Sequence, residues 1–112
     1  MAGGIARGDV RLYSFAPPDK KRPVVVLTRD SAIAYLATVT VAPITSAGRG
    51  VPSEVALNVE DGMKAPCVVN LHNAVTVHQE RLGKRVARLS DARMEEICAS
   101  LRFAMGCDGS GH

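Results

Sequence analysis

The chain has 112 residues, 46% of them apolar and 22% charged, enough for one small core and too apolar for the disordered class. Net charge is +3 and the pI is near 9.0, a mild excess that favours a polyanionic partner without requiring one. No apolar run approaches the roughly 20 residues of a membrane helix, and the opening MAGGIARGDV lacks the long apolar stretch of a signal peptide. One domain over 1–112, ordered from about 8 to 106 and acting in the cytoplasm without a membrane partner, is therefore expected.

Gly8-Asp9 leads into Val10 to Phe15, whose alternation predicts a half-buried strand. Ala16 to Lys20 carries two prolines and reads as a loop, because proline cannot donate to a ladder. Pro23 to Thr28 is β-branched and apolar on both faces, a buried strand entered through proline. Ser31 to Ala37 makes a helical turn or a loop crossing. A third strand runs from Thr38 to Ile44 with Val39 and Val41 on one face, and is expected to stop near Pro43.

Thr45 to Gly50 is a polar, flexible loop. Glu54 to Val59 alternates, which points Val55, Leu57 and Val59 inward. Asp61-Gly62 turns the chain. Cys67 to Val77 reads as one longer strand, bent near Asn73-Ala74, and Arg85 to Leu89 as a short last one. Ser90 is a helix N-cap with Asp91 in the first turn. Met94, Ile97, Cys98, Leu101 and Met105 then mark one helical face, Phe103 lies off it, and Gly106 stops the helix. The tail from Asp108 to His112 carries nothing to order it. Short strands followed by one helix predict a mainly β fold, a small SH3-like, partly open antiparallel barrel with the helix appended.

Cys67, Cys98 and Cys107 have no CxxC spacing and leave an odd thiol, which argues against a disulfide framework or a zinc site. Cys67 and Cys98 read as small buried apolar residues. Cations gather at Lys20, Lys21 and Arg22, and again at Arg81, Lys84, Arg85, Arg88 and Arg93. Solvated faces would account for such runs, as would an anionic partner. If Cys67–Val77 is unbroken, Asn70, His72, Ala74, Thr76 and His78 share a face. His72 and His78 with Lys84 or Arg85 could then perform acid–base chemistry. No carboxylate pairing beside the histidines suggests a metal, and no cofactor is indicated.

The GD before the first strand, RPVVVL, a strand ending in APIT, a glycine-containing polar loop, EVALNV, DGM with APCVVNLHN, LGKRVARL and a terminal helix follow in that order. This order of landmarks resembles the MazF/PemK/Kid family of toxin endoribonucleases. The likeness spans about residues 8 to 106. It implies cleavage of single-stranded RNA without metal, by attack of the ribose 2′-hydroxyl on the adjacent phosphate, leaving a cyclic phosphate and a 5′-hydroxyl. The family's catalytic arginine and threonine map onto Arg22 and Thr45.

A guanidinium at the lip of a buried strand suits that chemistry, since it can clamp two phosphate oxygens as charge builds in the transition state. The resemblance also implies a homodimer with RNA in the groove between subunits. The acidic, disordered C-terminal segment of a cognate antitoxin would cover that groove, and DNA would be met only through the antitoxin. Lys20, Lys21, Ser46, Arg49, Asn70, His72, Asn73, Lys84 and Arg85 are the candidate RNA contacts. Some members carry an assisting acid before the RP pair; here only Asp19 is at hand, at a different position. The tryptophan common in the family's first strand is absent, leaving Tyr13, Phe15, Tyr35 and Phe103 as the side chains able to stack on bases. A barrel toxin that binds a topoisomerase without catalysis and a plain RNA-binding barrel are the competing readings.

Overall fold

The computed structural model describes residues 4–16 and 20–107. Among these residues seven antiparallel strands form one open, curled half-barrel sheet, closed off by a C-terminal helix. The strands are β1 (Asp9–Ser14), β2 (Lys21–Val26), β3 (Thr38–Thr45), β4 (Glu54–Leu57), β5 (Cys67–Asn70), β6 (Val75–His78) and β7 (Arg85–Arg88). They lie in the order β4-β5-β3-β2-β1-β7, and β6 also pairs with β3. A single turn α1 (Asp30–Ile33) connects β2 to β3, and α2 (Asp91–Ala104) follows β7. The mainly β fold expected from the strand pattern is the one observed.

The sheet is buried on both faces at its centre, which is why Val24, Val25 and Val26 are all fully enclosed. Val25, Ala42 and Ile44 join Val10, Leu57, Val69, Leu71, Met94 and Ile97 beneath α2. Val24 and Val26 point the other way and pack with Ile33, Val39, Val41 and Val77. Asp9 is fully buried at the start of β1, where it accepts hydrogen bonds from Ala6 N at 3.0 Å, Arg11 Nε at 3.2 Å and Arg88 Nη2 at 2.9 Å. A buried carboxylate needs such partners, and these join β1 to β7 beside the bulge between Val10 and Arg11.

Strand β3 does not stop at Pro43. Thr40 faces β2, accepting from Leu27 N through its carbonyl, so by alternation Val41, Pro43 and Thr45 present their polar backbone groups to the opposite edge. On that edge the partner changes from β6, at Thr38 to Val41, to β5, at Ile44 and Thr45. Pro43 falls in the gap, where no ladder needs its missing N–H.

The single strand expected over Cys67–Val77 is two strands joined by a 3-10 turn at Leu71–Asn73. The β5 register, continued, would place His72 opposite Val41; Val75 stands there instead, three residues later. An odd insertion reverses the facing of everything beyond it. Asn70, His72, Ala74, Thr76 and His78 therefore do not share a face. Val59 also departs from expectation: β4 ends at Leu57, Asn58 caps a 3-10 turn over Val59–Asp61, and Val59 is exposed. Gly62 closes that turn at φ 94°, a left-handed conformation that glycine adopts without strain.

Ser90 caps α2 through Arg93 N, and Met94 and Ile97 are buried as the helical spacing requires. Met105 lies past the last helical residue and is exposed, and Phe103 is exposed as well. Cys98 faces a surface cleft rather than the core and takes a hydrogen bond from Arg7 Nη2. Arg93 reaches back to Asp61 with Nε to Oδ1 at 2.9 Å, tying α2 to the β4–β5 connection. The tail from Asp108 lies outside the described residues.

The bond donated by Arg93 holds the Asp61 carboxyl below its ordinary value of 3.8, against an opposing push from burial and with help from Asn58 N. A depressed folded-state value stabilises the fold above the unfolded value and is lost as pH falls through the folded one. Asp61→Asn should lower unfolding free energy at neutral pH by about 1 kcal/mol. It should also flatten the decline of stability below pH 3.8, as read by urea unfolding across a pH series.

Candidate active site

The geometry begins with one register. Strand β2 pairs with β3 as Val24 with Pro43, Val25 with Ala42 and Val26 with Val41. Continued two residues toward the lip, the same register sets Arg22 opposite Thr45. Alternation puts Arg22 on the face of Val24 and Val26, and Thr45 on that of Val41 and Pro43, so both project to the same side. Both are half-buried, and Val24 to Val26 further along β2 are completely enclosed. Thr45 is the last residue of β3, and its Oγ1 donates to Ala47 O at 3.1 Å.

Arg22 is supported by Phe15, just past the end of β1. Its guanidinium carbon stands 6.0 Å from the centre of the Phe15 ring, within cation–π range. Phe15 meets Tyr13 edge to face, with centroids 4.8 Å apart. Arg81 in turn stands 5.8 Å from the Tyr13 ring centre. The first-strand aromatics thus form a pair between two arginines, an arrangement with no signature in the sequence because Arg81 comes from a 3-10 turn after β6.

Beyond Thr45 the sheet continues through Val68 to Ala56 and, two pairs further on, through Asn70 to Glu54. Asn70 therefore joins the Thr45 face, and its Oδ1 is buried with no hydrogen-bond partner among the described residues. His72 is exposed on the following turn, with its Nδ1 bonded to the hydroxyl of buried Ser53, and Asn73 is exposed beside it. Ser46 and Arg49 are exposed on the loop leaving Thr45, and Lys20 and Lys21 are exposed at the opening of β2.

Lys84 and Arg85 lie along the edge of β1 opposite β2, where Lys84 O accepts Leu12 N. Arg85 is opposite Arg11 on β1, two strands from β2, with Nη1 3.9 Å from buried Asp9. Asp19 lies outside the described residues. His78 ends β6, and the reversed facing after the 3-10 turn leaves no shared histidine face for acid–base chemistry.

Three residues that sequence reasoning passed over shape this region. Glu54 Oε1 accepts Arg49 N and Gly50 N, each at 2.9 Å. Burial pushes the Glu54 carboxyl up, but the backbone donors at Arg49, Gly50 and Val51, with His72 nearby, bring it below 4.5. Ser53 supports His72, and Ser100 on α2 donates to Pro52 O. Glu54 was legible only as an outward residue in an alternating strand. Burial, with the charge of Asp61, pushes the Cys67 thiol up, which keeps it protonated and unreactive. Among the described residues, no group of three or more histidine, cysteine or acidic side chains is placed to hold a metal.

The family model for the PemK-like, MazF-like toxin of type II toxin–antitoxin systems matches residues 6–105. The chain belongs to this toxin family. It is 40% identical over 97 residues to a probable endoribonuclease MazF2 of Mycobacterium tuberculosis, covering 86% of this chain and 95% of that one. It is 42% identical over 103 residues to a probable endoribonuclease MazF5 of the same organism, covering 91% and 94%. Among solved structures, the M. tuberculosis toxin MazF-mt6 superposes with a TM-score of 0.81 at 31% identity, covering 89% of this chain and 98% of that one. A mycobacterial endoribonuclease in complex with its cognate antitoxin has the same TM-score at 23% identity, covering 92% and 96%; that likeness is one of fold. This MazF-like chain therefore carries the family scaffold over nearly its full length.

Phe15→Leu keeps an apolar side chain while removing the ring under Arg22. It should cost about 0.5–1 kcal/mol of stability and raise the mobility of the Arg22 side chain, measured by NMR relaxation of its Nε–H group. Unchanged relaxation would show that the ring does not position the guanidinium.

Proposed function

We propose that this MazF-like toxin is an endoribonuclease that cuts single-stranded RNA at defined sequences without metal, through Arg22 and Thr45. The observation that supports the reading is the β2–β3 register, whose continuation two residues past the Val24–Pro43 pair would bring half-buried Arg22 across from half-buried Thr45 at one lip of the sheet. The endoribonuclease names of its close relatives support the activity.

In the proposed reaction the ribose 2′-oxygen bonds to the adjacent phosphorus and the bond to the 5′-oxygen breaks, giving a 2′,3′-cyclic phosphate and a 5′-hydroxyl. Negative charge grows on the non-bridging oxygens as phosphorus becomes five-coordinate. Arg22 answers that charge with two parallel N–H donors from a fixed origin. Thr45 turns its hydroxyl from Ala47 O to a non-bridging oxygen. In this reading Arg22 acts on the phosphate as a cation and not as the base. The 2′-proton and the 5′-oxygen exchange protons with water at this open face.

Lys20, Lys21 and Arg49 surround the pair with positive charge, which draws the RNA backbone toward it by counterion release. The same charge suits the acidic, disordered tail of a cognate antitoxin, which would block RNA by occupying its groove. A homodimer completes that groove in this reading. The exposed apolar residues Tyr35, Leu36 and Val75 offer surface for it. The toxin would act in the cytoplasm, arresting translation and growth, and meet DNA only through its antitoxin.

The test is incubation of purified protein with a long unstructured RNA in chelator, followed by mapping of the ends. Discrete cuts with 5′-hydroxyl and cyclic phosphate ends are expected, with the rate reduced at least about 10²-fold in both Arg22→Ala and Thr45→Ala. Binding without cutting would replace this reading with that of an RNA-binding barrel.

A further inference from the structure

The loop between β3 and β4 leaves the sheet at Thr45 and returns at Glu54, so it begins and ends on the candidate catalytic face. Glycine and small polar residues lend it little order of their own. It is nevertheless fastened. At its return, Ser100 on α2 donates to Pro52 O, and buried Ser53 accepts Leu71 N through its carbonyl. At its middle, one carboxylate oxygen of Glu54 receives the backbone N–H groups of Arg49 and Gly50.

The carboxylate draws the loop down onto the sheet. At Gly48 an added Cβ would stand 2.9 Å from Val68 Cγ1 and 3.0 Å from Glu54 Oε1, closer than real Cβ atoms pack. Val68 is itself the partner of Thr45. The loop therefore lies against the residue beside Thr45, and the next pair on the same face holds Asn70, whose buried Oδ1 has no hydrogen-bond partner among the described residues.

We propose that Glu54 is a positioning residue: its carboxylate latches the β3–β4 loop over Val68 so that loop and Asn70 together read the nucleotide beside the cut. This rests on the endoribonuclease reading. A side chain that contacts no phosphate thereby sets sequence discrimination. Loosening the latch admits RNA that lacks the preferred base and weakens binding of RNA that has it, while the chemistry at Arg22 and Thr45 persists.

Two measurements test this separately. Limited trypsinolysis reports the latch without RNA, because Arg49–Gly50 is a cleavable bond inside the latched segment. Glu54→Ala should be nicked there roughly tenfold faster than wild type, as expected for release of a locally ordered loop. Glu54→Gln, which keeps an acceptor oxygen, should stay closer to wild type. Cut mapping and steady-state kinetics report the consequence. Glu54→Ala and Gly48→Ala should each raise KM on the preferred oligonucleotide roughly tenfold with kcat within about twofold, and each should add cuts at sites outside the wild-type motif.

Unchanged nicking at Arg49, an unchanged motif and KM in both variants, or a loss confined to kcat would overturn the proposal. Should Glu54→Ala fail to fold, Gly48→Ala and Glu54→Gln decide it by the same readings. Should wild type cut no RNA, the nuclease reading falls, and with it the discriminating role of Glu54. The trypsin result would still decide whether the latch exists.

Discussion

The pairing of β2 with the middle of β3 is the constraint on which the rest of this molecule depends. Three buried pairs hold it, and Val24, Val25, Val26, Val41 and Ala42 pack into two apolar clusters on opposite faces of the sheet. A slip of one residue would send Val24 and Val26 into the wrong cluster and move Arg22 away from Thr45. The register is therefore secured by burial of apolar surface at the centre, while its consequence appears at the polar lip. The core supplies rigidity, and the ends of β2 and β3 that carry Arg22 and Thr45 extend from it.

Strand β3 makes this possible by changing partners along one edge. Its first half pairs with β6 and its end with β5, and the three residues looped out at Leu71–Asn73 absorb the difference. The switch curls the sheet, accommodates Pro43, and turns Thr45 toward Val68 and Asn70 rather than along a flat continuation of the β6 ladder. The curl and the site have one origin.

The aromatic residues of the first strand serve the site from behind. Tyr13 and Phe15 are committed to each other and to Arg81 and Arg22. In the proposed reaction they steady the cation, and nucleotide choice falls to hydrogen-bonding groups on the loops. Loops positioned by a rigid scaffold commonly carry specificity. The family scaffold is shared with proteins as distant as 23% in sequence, whereas a latch such as that of Glu54 belongs to the particular loop it holds.

By itself the sequence determined the mainly β class, the terminal helix with its Ser90 cap and Gly106 stop, the doubly buried β2, and the family through RPVVVL and APIT. Those features are local: alternation, capping and composition act over a few neighbouring residues. The break in Cys67–Val77, the passage of β3 through Pro43 and the outward turn of Val59 were settled by which edge each strand met. So were the Arg22–Thr45 juxtaposition, the two-arginine aromatic pair and the Glu54 latch. Their partners are separated by four to sixty-eight residues, and periodicity carries no information about which backbone will offer a ladder, a ring or an N–H group. Only the closed register of the folded sheet supplies it.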